Sequence, residues 1–106
     1  MTTWLLLGCA IVCEVTASLS LKRALDVPAM YAVVVAGYVA AFVLLTLTLK
    51  QGLGIGVAYG IWAACGVALT ALASRVVFGE PLTGLMLAGI VLIIGGVLLV
   101  ELGASR

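Results

Sequence analysis

Glu14 is the residue on which chemistry could turn. It stands near the middle of an apolar run, residues 4–21, that contains no other charge. A carboxylic acid in such a setting is costly, and residues of this kind face a cavity or a bundle interior. The chain has no His, and no Lys or Arg lies deep in any apolar run, so no cation is at hand to pair with the acid. Loss of water favours the neutral form of a carboxyl group. The group could then hold a proton in one state and a bare negative charge in another. The competing reading is a permanently protonated Glu that hydrogen-bonds a neighbouring helix and serves packing alone.

Its surroundings suit the first reading. Residues three, four and seven positions away share its face of a helix; these are Leu7, Ala10, Ile11, Ala17, Ser18 and Leu21. Leu7, Ala10, Ala17 and Ser18 are the candidate pocket lining. Three of them are small, which allows either close helix contact or room for a guest. Further along, Tyr59 and Trp62 are spaced i, i+3, with Ile55, Ala63 and Gly66 continuing their face. Trp4 suits an interfacial belt, but Tyr59 and Trp62 lie two to three turns into their run. Aromatic faces attract cations, more strongly where water is excluded. One counter-charge and two rings are what a lipophilic cation requires.

Two other groups carry less chemistry. Cys9, Cys13 and Cys65 all fall in apolar runs. Cys9 and Cys13 are one turn apart, yet with no His and an odd thiol count the expectation is apolar packing, with no metal and no cofactor. Gly89 and Gly96, seven apart, share a helix face with Leu92, Ile93 and Val97, a pattern that lets two helices interlock. Dimerisation is its expected role.

The elements that must position these residues follow from composition. Of 106 residues, 66% are apolar, five are Lys or Arg and four are Asp or Glu, for a net charge of +1. A soluble domain of this size needs a far more polar surface. A disordered chain needs water-loving composition, and a nucleic-acid binder needs a basic patch. All three are excluded. The charges divide the chain into apolar runs at residues 4–21, 29–49, 53–74 and 82–100. Each is close to the roughly 20 helical residues that cross a bilayer, and helix is the open-ended structure that satisfies its own backbone in lipid. The first run carries Glu14 and lacks a basic start, unlike a cleaved signal peptide. The expected architecture is an all-α integral membrane protein, one four-helix domain over residues 1–106. Its connections, 22–28, 50–52 and 75–81, are short enough to force antiparallel neighbours. Pro28 and Pro81 sit where a helix can begin. Lys50 and Arg106 then share one membrane side, with Lys22, Arg23 and Arg75 on the other. That near balance weakens the bias that fixes orientation and allows insertion both ways.

The motifs resemble those of the small multidrug resistance family, bacterial transporters of the EmrE type. The resemblance covers essentially the whole chain. It rests on Cys13-Glu14-Val15, on Gly56-Val57-Ala58-Tyr59-Gly60-Ile61-Trp62, on Phe78-Gly79-Glu80-Pro81-Leu82, and on residues 89–97. It implies an antiparallel, dual-topology homodimer in the bacterial inner membrane, with the first three helices of each subunit lining a chamber and the fourth holding the dimer. It implies that Glu14 is the family's essential carboxylate, and that Tyr59 and Trp62 are its chamber-lining aromatic pair. Protons and organic cations would compete for Glu14, so that inward proton flow drives outward cation flow. Many members carry a Gly-x-Gly pair after the Trp, taken as a helix bend; here Ala64-Cys65-Gly66 leaves Gly66 alone. The first loop also lacks the usual Gly-Phe-Thr stretch.

Two branches of the family differ in substrate. Guanidinium exporters resemble one another in a Trp two positions after the Glu and a Lys late in the fourth helix. Thr16 and Glu101 stand in those neighbourhoods here, which points to the multidrug branch and its quaternary ammonium substrates. A guanidinium exporter remains the alternative within the family. Outside it, the rivals are a structural or regulatory membrane protein, in which Glu14 only packs, and a channel.

Overall fold

The computed structural model describes residues 2–104 as four long helices joined by short connections. α1 spans Thr2–Arg23, α2 Tyr31–Lys50, α3 Ile55–Phe78 and α4 Gly84–Ala104, with a 3-10 turn at Pro28–Met30 leading into α2. All four are long and apolar enough to cross a membrane. Runs such as Val33-Val34-Val35 would favour a strand in water. In lipid the backbone must satisfy itself within the segment, and helix prevails.

The helices overrun the apolar stretches at several ends, because a charge ends an apolar run without ending a helix. α1 continues through Lys22 and Arg23, whose positive charges suit a helix C-terminus. α3, expected over 53–74, carries on past Arg75 to Phe78 and stops where Gly79 turns left-handed at φ +66°. The N–H groups of Gly79 and Glu80 both turn back to the Ser74 carbonyl. α4 starts at Gly84 rather than beside Pro81. Thr83 caps it, its Oγ1 accepting from the Met86 N–H at 3.2 Å. The same helix runs through Glu101, beyond the expected end at 100. Pro28, in contrast, opens its 3-10 turn as its fixed φ suits.

α1 packs most extensively on α2 and next on α3, whereas α4 touches α3 alone. The core joins Leu7, Ala10 and Ile11 of α1 to Ala41 and Leu45 of α2 and to Ala58, Ile61 and Trp62 of α3. The α1–α2 contact depends on Gly37. A Cβ there would meet Ala17 Cβ at 2.8 Å and the Cys13 carbonyl at 3.2 Å. Of α4, only Ile90 is buried, so most of that helix faces outward. Lys22 pairs with Glu80, which puts the α1–α2 and α3–α4 connections at one end of the bundle. Lys50 is the last residue of α2, at the other end of the bundle; Arg106, its expected companion, lies outside the described residues.

Candidate functional site

α1 and α3 run side by side in the same direction, which sets the site. The Trp62 indole N–H donates to the Ala10 carbonyl at 3.3 Å. Four residues further on both helices, the Glu14 carboxyl lies against Gly66. At the loop end, Lys22 meets Glu80 and its ammonium sits 5.1 Å from the Phe78 ring centroid.

Glu14 is half-buried, and its Oε2 is sealed from solvent without a hydrogen-bond partner. It fits there because residue 66 has no side chain. A Cβ at Gly66 would stand 2.8 Å from Glu14 Cδ and 3.1 Å from Oε1, with Oε2 closer still. Ser18, one turn along α1, meets the Tyr38 hydroxyl of α2 at 2.8 Å.

The aromatic pair occupies the level one to two turns before Glu14. Tyr59 and Trp62 have ring centroids 5.5 Å apart, and Phe42 of α2 meets Trp62 edge-on at 5.2 Å. Trp62 is 6% exposed and belongs to the core; Tyr59, at 52%, points outward. On the other side of Glu14 a groove of about 400 Å³ leads toward the loop end. Ser18, Gly66, Thr70, Ser74 and Glu80 are among its walls. The acid thus stands between the aromatic pair of α3 and a groove walled by α1, α3 and the loop that follows α3.

Of the four residues expected to line a pocket, Ser18 alone borders this groove. Leu7, Ala10 and Ala17 are buried in contacts within the subunit. Gly66 sits in an unbroken stretch of α3, where its visible effect is clearance for Glu14. On α4, Leu92 is 76% exposed and Gly96 is exposed. Gly89, Ile93 and Val97 are half-buried, with Val97 leaning on the core from its edge. The thiols are free, Cys9 exposed and Cys13 and Cys65 half-buried. Sequence reasoning passed over Tyr38, Phe42, Gly37 and Thr70. Only the positions of α2 relative to α1 and α3 reveal the first three, because residue type alone marks none of them.

A family model described as Small Multidrug Resistance protein matches residues 2–93. The chain belongs to the small multidrug resistance family. It is 42% identical over 104 residues to a multidrug transporter of Pseudomonas aeruginosa, covering 96% of this chain and 94% of that one. It is 35% identical over 106 residues to the multidrug resistance protein mmr of Mycolicibacterium paratuberculosis, covering 98% and 99%. The family resemblance of the motifs is thereby borne out, and the protein is a multi-pass member of a transporter family rather than an enzyme. The region the small multidrug resistance model matches contains Glu14, Tyr59, Trp62 and Gly66.

Proposed function

We propose that the protein is a proton-coupled antiporter that exports lipophilic quaternary ammonium cations across the bacterial inner membrane. The observation that carries this reading is the state of Glu14. Among the described residues it is the one charged side chain in the middle of a span, and its Oε2 is unpaired beside an open groove. A buried, unpaired polar atom is expensive, and a proton or a cation relieves that cost. The two compete because each neutralises the same charge. Tyr59 and Trp62, one to two turns away, supply the π surface for the cation.

The working unit in this proposal is an antiparallel homodimer. One subunit has the acid and Tyr59 on an open flank, with Trp62 behind them in the core, and its α4 leaves Leu92, Leu98 and Leu99 outward. A second copy meeting that face through Gly89, Leu92, Ile93, Gly96 and Val97 would complete a chamber with two Glu14 groups. Two carboxyls in one dry space disfavour double ionisation, so cation entry expels protons. Exchange between two conformations, biased by whichever ligand is bound, then moves cation and proton in opposite directions.

Thr16 supports the quaternary ammonium branch over guanidinium. Its hydroxyl is taken by the Val12 carbonyl at 2.8 Å and adds nothing to the fixed fork of acceptors that a guanidinium prefers. The test is tetraphenylphosphonium added to detergent-solubilised protein in weak buffer. Proton release from wild type, and none from Glu14→Gln, is the expected result. A protein that only packs through Glu14 releases nothing in either form.

A further inference from the structure

We propose that Thr70 is the relay through which the Glu14 proton leaves for the groove on the loop side, a step that rests on the antiport reading above. Thr70 carries a helix hydroxyl that is both sealed and unpaired. Thr and Ser side chains inside helices ordinarily bond back to a carbonyl of the preceding turn. Thr16, Thr46 and Thr48 do so at 2.8 to 2.9 Å, and Ser74 bonds to Ala71 O at 2.8 Å. Thr70 does not: its Oγ1 is buried with no partner. The second unpaired buried side-chain atom among the described residues is Glu14 Oε2, and both residues wall the same groove.

The spacing orders these groups. Gly66, which holds the Glu14 carboxyl, Thr70 and Ser74 follow one another at four-residue steps on α3, each about 6 Å of rise. Ser74 leads to Glu80 at the mouth, where Lys22 sits. A groove of about 400 Å³ runs along this row, with room for a file of waters at about 30 Å³ each. Oε2 and Thr70 Oγ1 are both sealed from solvent in this conformation, and Thr70 stands one turn from the acid on the path outward, where rotation about χ1 would bring its hydroxyl to the groove. The aromatic pair lies on the opposite side of the acid.

The step balances without any added reagent. Thr70 rotates about χ1 so that its Oγ1 accepts the proton of the Glu14 carboxyl while its own O–H proton passes to a groove water. The O–H bond of the Glu14 carboxyl breaks, one O–H bond forms and another breaks at Thr70 Oγ1, and a new O–H bond forms at the water. Thr70 ends unchanged, Glu14 is ionised, and the groove holds a hydronium that Ser74 and water carry to the mouth. The titratable groups facing the route are Glu14 on α1, Tyr38 on α2 by way of Ser18, and the Lys22–Glu80 pair at its end.

The experiment is stopped-flow detection of proton release with a pH dye after mixing with tetraphenylphosphonium, alongside equilibrium titration of the same cation. Thr70→Val keeps shape and removes the hydroxyl; Thr70→Ser keeps the hydroxyl. A positioned proton-transfer group contributes on the order of a hundredfold, so Thr70→Val should slow release by that order, with Thr70→Ser within about threefold of wild type. Equilibrium affinity should stay within about threefold in both. Release by Thr70→Val at the wild-type rate overturns the relay, as does slowing shared by Thr70→Ser. Loss of affinity in step with rate also overturns it, since Thr70 would then be holding the cation. If wild type itself releases no proton, the antiport reading fails first, and that outcome is distinct from the others.

Discussion

The Glu14 carboxyl occupies the volume that a side chain at residue 66 would fill, since a Cβ on Gly66 would come 2.8 Å from Glu14 Cδ. The acid and the glycine lie on different helices, and each explains the other. The atom that clashes belongs to the end of a flexible side chain, so Gly66→Ala should fold and insert while pushing the carboxyl out of its notch. Cation affinity should fall about tenfold, equivalent to about 1.4 kcal/mol. Titration with a fluorescent cation checks this. Unchanged affinity would mean that the notch does not position the acid.

Gly37 makes the opposite case, because its neighbours are a Cβ and a backbone carbonyl of α1. Gly37→Ala must push α1 and α2 apart, and overpacking of this kind costs about 1–3 kcal/mol. Gly8 has nothing within 4 Å of an added Cβ, so Gly8→Ala should leave stability unchanged or slightly raised. Unfolding of both variants in mixed detergent micelles separates them. Equal stability would place the weight of the α1–α2 contact elsewhere.

Much of the architecture is legible in the sequence, and the reasons are physical. Four apolar runs of bilayer length leave helix as the only solution, and the position of Glu14 within its run needs nothing more than counting. The helix ends at Phe78 and Gly84 escaped that counting because charge marks the edge of lipid, whereas Gly79 and Thr83 mark the edges of helix. Leu7, Ala10 and Ala17 share a face with Glu14, as periodicity says, but that face is broad enough to serve the core and the groove together. Phe42, Tyr38 and Thr70 were not legible because their importance lies in what stands opposite them.

Trp62 ties α3 to α1 through its indole nitrogen, 3.3 Å from the Ala10 carbonyl. Trp62→Phe keeps a ring beside Tyr59 and Phe42 and removes this bond. Stability should drop by about 0.5–1.5 kcal/mol, with cation affinity also lower because Trp is the strongest π partner. Chemical denaturation and cation titration report the two effects independently. A variant as stable as wild type would show that the long bond contributes nothing.

Glu80 gives a pH signature at the loop end. Its hydrogen bond to Lys22 holds its carboxyl below the ordinary Glu value. A group held lower when folded contributes stability that is present above its unfolded value, about 4.3, and is lost as pH falls through the folded one. The melting temperature of wild type should therefore exceed that of Glu80→Gln slightly at neutral pH. The gap should close as the solution is acidified past that range, and should shrink in high salt because the pair is exposed. A gap that persists at low pH would show that the ion pair is not its source.

Cation affinity as a function of pH tests most directly what Glu14 exchanges. Competition for one carboxyl predicts that tetraphenylphosphonium affinity in wild type rises with pH, by up to about tenfold per unit for each proton displaced, and levels off once Glu14 is ionised. Glu14→Gln should show no such rise and little binding at any pH. Wild-type affinity that stays flat from about pH 5 to pH 9, or a Glu14→Gln curve that matches it, would contradict the account.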